Sequence, residues 1–98
     1  MNILDKLPAR LFWDTDPGRL DAEKHKKFII IRVMERGDMK DVQAVWDSYS
    51  RDDIREALTT ARYLEPKTIA FFSNQFAIAR NRFRAYRRRQ HNQGMPWP

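Results

Sequence analysis

The chain reads as an all-α domain: a compact bundle of about four helices with an irregular aromatic N-terminal arm and a basic C-terminal helix extension. Three observations predict this. Apolar residues recur at helical spacing from Phe28 onward, as in Ile54, Ala57, Leu58 and Ala61. Acidic or hydroxyl residues stand before those runs, at Asp21, Asp38 and Ser50. Six arginines lie between residues 80 and 89 with no acid among them.

The arm, Leu7 to Leu20, holds two prolines, Gly18 and the pair Phe12 and Trp13. It is expected to be irregular, with its aromatics anchored on the core and one helical turn opened by Asp16 and Pro17. Asp21 is expected to cap a helix over 22–36 that Gly37 ends. Phe28, Ile29, Ile30, Ile31, Val33 and Met34 wrap most of that helix, which marks a central element. Asp38, with Asp41 three residues on, predicts the next cap, and Met39, Val42, Val45, Trp46 and Tyr49 give one apolar face. Ser50 and Asp53 repeat the cap before a helix over 51–62. Pro66 then opens a last helix at its favoured first position.

In that last helix Ile69, Phe72, Phe76, Ala79, Phe83 and Tyr86 step alternately by three and four, a heptad seam. A continuous helix over 66–89 would be roughly 36 Å long and would outrun its neighbours. The expected division is a helical domain with its arm over 1–79, then an arginine-rich helix extension and frayed tail over 80–98.

Composition narrows function. The absence of cysteine removes disulfides and thiolate metal sites. The longest apolar run, Phe28 to Ile31, is far short of the ~20 residues of a membrane span. The N-terminus has neither a basic stretch nor an apolar signal core, so a cytoplasmic location is expected. The net charge of +6 is localised: the 13 bases outside residues 80–89 balance the chain's 13 acids. A neutral body with one basic segment points to a local electrostatic contact.

Arg80, Arg82, Arg84, Arg87, Arg88 and Arg89, interleaved with Phe83 and Tyr86, could follow a phosphate backbone or an acidic protein face. Arg80, Arg84, Arg87 and Arg88 would share one face of a continuous helix. One or two bases would serve the C-terminal dipole; six without an acid exceed that need. If all six neutralised duplex phosphates, log affinity would fall with log salt at a slope of roughly −5. Nucleic acid and an acidic protein both stay open as partners, with no membrane role. A helix-turn-helix over 55–75 is a second candidate, in which Lys67, Thr68, Asn74 and Gln75 could reach phosphates or bases. Tyr63 stands where such turns usually hold Gly, and Ala70 and Phe71 cannot read base edges by hydrogen bonding, so an ordinary helical corner is the simpler reading. The competing class is a helix-mediated interaction module or a homodimer through the seam, with no nucleic-acid role.

Asp14 and Asp16 superficially match a calcium loop or a phosphohydrolase nucleophile motif, but turn chemistry accounts for Asp-Pro-Gly. His25, four residues after Asp21, lacks a third metal ligand. No catalytic residue, metal or cofactor is expected, and the chain is read as a non-enzyme.

Phe12-Trp13-Asp14, Glu35-Arg36-Gly37-Asp38, Leu64-Glu65-Pro66-Lys67-Thr68 and Phe71-Phe72 together resemble a family of small uncharacterised bacterial helical proteins, over about Leu11 to Phe76. Members are often encoded beside abortive-infection-type nucleotidyltransferase toxins. The resemblance therefore implies an antitoxin-like role and such a toxin as partner. It carries no catalytic residues, Phe72 stands where the family more often has Trp, and the arginine-rich segment lies outside it.

Overall fold

The computed structural model describes residues 3–93, leaving aside the side chains of Pro17 and of residues 90–93. It is all-α, with no strand among the described residues. Its helices are α1 (Lys26–Arg36), α2 (Met39–Ser48), α3 (Arg51–Thr60), α4 (Pro66–Phe76) and α5 (Arg84–Gln93). Short 3-10 turns occupy Ile3–Lys6, Ala9–Phe12, Pro17–Arg19 and Arg80–Arg82. The chain divides into two compact units, 1–57 and 58–98. The arginine-rich segment is thus part of a unit that begins well before residue 80.

In the first unit α1 packs on α2, the Ile3–Lys6 turn on α2 and the Ala9–Phe12 turn on α1. The core holds Leu11, Phe12, Ile29, Ile30, Val33, Val45, Tyr49, Ile54 and Ala57. Half of the expectation for the arm's aromatics holds: Phe12 is buried, whereas Trp13 is 74% exposed. Met39, expected on the apolar face of α2, is the first residue of that helix and is 78% exposed.

Helix starts follow their caps. The Asp21 carboxylate accepts the N–H groups of Glu23 and Lys24 at 2.8 and 2.9 Å. The expected start at Ala22 nevertheless moves to Lys26, since His25 leaves helical dihedrals (φ −107°, ψ 23°) while its Nδ1 accepts the Asp21 N–H. Asp38 and Asp41 form a reciprocal capping box at α2, the Asp38 N–H reaching the buried Asp41 carboxylate at 2.9 Å. Ser50 Oγ accepts the Asp53 N–H at 3.0 Å at the start of α3. Lys26 and Lys27 at the start of α1 pair with Asp53 and Glu56 of α3 at 3.2 and 3.3 Å. Between α1 and α2, Gly37 lies so close to the preceding turn that a Cβ would meet the Val33 carbonyl at 2.7 Å and Asp41 Cβ at 2.9 Å. No side chain fits there.

The second unit corrects the expected continuous helix. α4 stops at Phe76, and Ala77 takes left-handed dihedrals (φ 54°, ψ 44°). Ala77 N–H reaches Asn74 O and Ile78 N–H reaches Ser73 O, at 3.3 and 3.1 Å, the crossed bonds of a helix end. Ser73 Oγ donates to Ile78 O at 2.6 Å and holds the reversal. The chain passes through the Arg80–Arg82 turn and enters α5, so the heptad seam is broken after Phe76. Phe83, a seam residue by spacing, is wholly buried. The frayed tail expected from His91 is helical backbone as far as Gln93 and lies outside the described residues from 94.

Two substitutions test these backbone constraints. Gly37→Ala is expected to destabilise the fold by about 1–3 kcal/mol, the range for forcing a methyl into packed space. Ala77→Gly is expected to stabilise it by about 1 kcal/mol, because glycine pays no left-handed penalty. Urea unfolding midpoints, with slopes checked for constancy, read both.

Candidate functional site

Charge is divided along the same line as the fold. Residues 1–57 carry 11 bases and 12 acids, whereas residues 58–98 carry eight bases and one acid, Glu65, for a net +7. In the first unit about half of the charged groups form ion pairs. Arg32 is the clearest case: its guanidinium grips both Asp14 oxygens at 2.8 and 3.0 Å, donates to Leu11 O at 2.9 Å and lies 4.8 Å from the Phe28 ring centroid. That fork holds the Asp14 carboxyl below the usual carboxylate value. Arg10 reaches Asp38 and Asp41 at 3.1 and 3.6 Å. Tyr49 O–H donates to Ala22 O at 2.8 Å, and burial pushes its phenol up to about 12.

The other chemical candidates of this unit serve turns. Asp16 accepts the Gly18 N–H at 3.0 Å and sits 3.7 Å from Arg19. The Asp21 carboxylate is a cap and His25 Nδ1 is an acceptor within the same turn. A groove of about 450 Å³ runs between Thr15, Asp16, Arg19, Leu20, His25 and Phe28. Among the described residues no three His, Cys, Asp or Glu side chains gather to hold a metal ion.

In the second unit the arginines behave differently. Arg80, Arg82, Arg84, Arg87 and Arg88 are exposed, and among the described residues none forms an ion pair. Arg87 donates to Asn81 O at 2.9 Å, which leaves its charge unneutralised. Arg84, Arg87 and Arg88 stand at i, i+3 and i+4 and share one face of α5, opposite buried Ala85 and half-buried Arg89. Arg80 leaves that face because it lies in the 3-10 turn, not in a continuous helix. Arg80, Arg82 and Arg84 precede or open α5, where the dipole disfavours positive charge, so dipole compensation does not explain them.

Three sequence-stated site residues belong to the fold. Phe83 is core and presents no ring to a partner. Arg89 donates to Leu64 O at 3.2 Å and lies 5.6 Å from the Tyr63 ring centroid, tying α5 to the lead of α4. Tyr86 is half-buried. Lys67 and Asn74 are exposed on α4, Lys67 at 3.8 Å from Glu65. Tyr63 (62% exposed) and Phe71 (46%) are surface aromatics, although the helix-turn-helix reading gives neither a contact role.

Residues 7–58 match a model described as a family of unknown function (DUF6922), and this stretch is more than half of the chain. The protein is an all-α member of that family. Phe12-Trp13-Asp14 and Glu35-Arg36-Gly37-Asp38 lie inside the match; the Leu64 to Thr68 stretch, the Phe71-Phe72 pair and every arginine of α5 lie outside it. The match ends within one residue of the first unit's end. Comparison with curated proteins gives no match, and comparison with solved structures gives none either. Among the described residues no helix is long and apolar enough to cross a membrane.

The Arg32 fork has a pH signature. Because the folded value of Asp14 is depressed, its contribution to stability is complete above the unfolded carboxylate value and is lost as pH falls through the lower folded one. The thermal midpoint should therefore drop below about pH 4, and Asp14→Asn should make that drop shallower while lowering the neutral-pH midpoint.

Proposed function

We propose that this chain is a non-catalytic, antitoxin-like or regulatory binding protein that meets a polyanionic partner through its arginine-rich C-terminal segment. The observation that carries this is the set of five exposed arginines, 80, 82, 84, 87 and 88, without a carboxylate partner among the described residues. Charges of one sign repel one another, and stability alone supplies no reason to gather five on so short a stretch. Phosphates or a row of partner carboxylates would convert that repulsion into charge-assisted hydrogen bonds.

The partner is nucleic acid or an acidic protein; a nucleotidyltransferase toxin is the protein partner that the family resemblance implies. The first unit supplies no comparable excess, since its 11 bases stand among 12 acids and Arg32, Arg10, Lys26 and Lys27 pair with Asp14, Asp38, Asp53 and Glu56. It is read as a scaffold that carries the basic unit within the cytoplasm.

The test is capture from lysate, with and without nuclease, by the full chain and by a variant with the five arginines changed to Gln. Substitution is preferable to truncation at residue 79, which would remove buried Phe83. Nuclease-sensitive capture lost in the variant makes the partner nucleic acid. One nuclease-resistant protein, lost in the variant, makes it an acidic protein. Equal behaviour of the two chains overturns the proposal. For five contacts, log affinity should fall with log salt at a slope of about −4.5 on a duplex or −3.5 on a single strand.

A further inference from the structure

α4 carries a second surface in the basic unit. Lys67, Phe71, Asn74 and Gln75, at i, i+4, i+7 and i+8, are all exposed, whereas Thr68, Ile69 and Phe72 are buried. At 3.6 residues per turn the four exposed residues span about 100° of the helix circumference, a single stripe. Phe71 is 46% exposed in the middle of it. Its ring stands edge-to-face on buried Phe72, with centroids 4.9 Å apart and an interplanar angle of 85°. That contact favours the outward pose of the ring. Tyr63, four residues before Lys67, is 62% exposed, with the Arg89 guanidinium 5.6 Å from its ring centroid. Arg89 also bonds Leu64 O, so the end of α5 lies beside the lead of α4.

Resting on the polyanion reading above, we propose that the unit beginning at residue 58 takes single-stranded nucleic acid. Unpaired bases stack on Phe71 and Tyr63, the amides of Asn74 and Gln75 meet base edges, and phosphates meet the exposed arginines of the unit. Charge alone does not choose among polyanions; the two exposed rings do. A ring can offer its face to a base only where that base's own face is open, which a duplex denies.

Fluorescence anisotropy of the full chain with labelled RNA, single-stranded DNA and duplex DNA of equal length and sequence tests this. Tighter binding of a single strand than of the duplex is expected, with either sugar supporting the proposal and the preference identifying the source. Phe71→Ala should weaken single-strand binding roughly tenfold, the loss of one stacked base, and Phe71→Tyr should restore it. Circular dichroism checks that each variant is folded. Asn74→Ala with Gln75→Ala, both exposed, gives an independent reading if Phe71→Ala is not. Duplex binding as tight as single-strand binding, or no effect of the α4 variants, overturns the stacking surface while leaving the arginine reading intact. No salt-dependent binding to any of the three probes overturns the nucleic-acid assignment of both.

Discussion

The basic unit depends on one backbone event, the reversal at Ala77. α4 has the composition and spacing to run on into α5, and a continuous helix would have carried the arginines away from the body on a rod. The left-handed residue and the two crossed hydrogen bonds after Asn74 turn the chain instead. Phe83 can then enter the core, and Arg89 can close on the Leu64 carbonyl. With those two points fixed, α5 has one orientation about its own axis: Ala85 and Arg89 inward, Arg84, Arg87 and Arg88 outward. The cationic face results from how the helix is anchored as much as from how many arginines it contains.

The first unit relies on a different device. Its arm contains little regular structure, yet it is drawn onto α1 by a side chain that satisfies a carbonyl, a carboxylate and an aromatic face together. Arg32 can do this because guanidinium is planar and delocalised, with donors on two edges and a face that tolerates apolar contact. Lysine could replace the charge but not the fork. The family match falls almost wholly within the same nearly neutral unit. The unbalanced charge is confined to the part of the chain beyond the match.

Much of the architecture can be read from the sequence because it is set locally. Asp38 with Asp41 and Ser50 mark helix starts through bonds spanning three residues, Pro66 marks one through its fixed φ, and the spacing of Ile54, Ala57, Leu58 and Ala61 reports a buried face directly. The reversal at Ala77 is hidden because alanine is the strongest helix former and carries no sign of left-handed geometry. Phe83 and Tyr86 also keep the heptad count, although the helix that would align them is broken. Of the site, the exposed arginines follow from composition. The role of Arg89 does not, because nothing local distinguishes an arginine bound to a carbonyl 25 residues away from its solvated neighbours. Phe71 is obscured for the opposite reason: it adjoins Phe72, and only the helix axis decides which of the two faces inward.

The ties within each unit also bear on how fast the molecule reaches its native state. The side-chain links Arg10 to Asp38, Lys26 to Asp53, Tyr49 to Ala22 and Arg89 to Leu64 close loops of 25 to 28 residues. Loop-closure entropy rises only with the logarithm of length, and helices form from neighbouring residues, so little search precedes the first favourable contacts. A chain wired in this way collapses in short, nearly independent steps. Its acid-poor half need not wait on distant partners to acquire a shape.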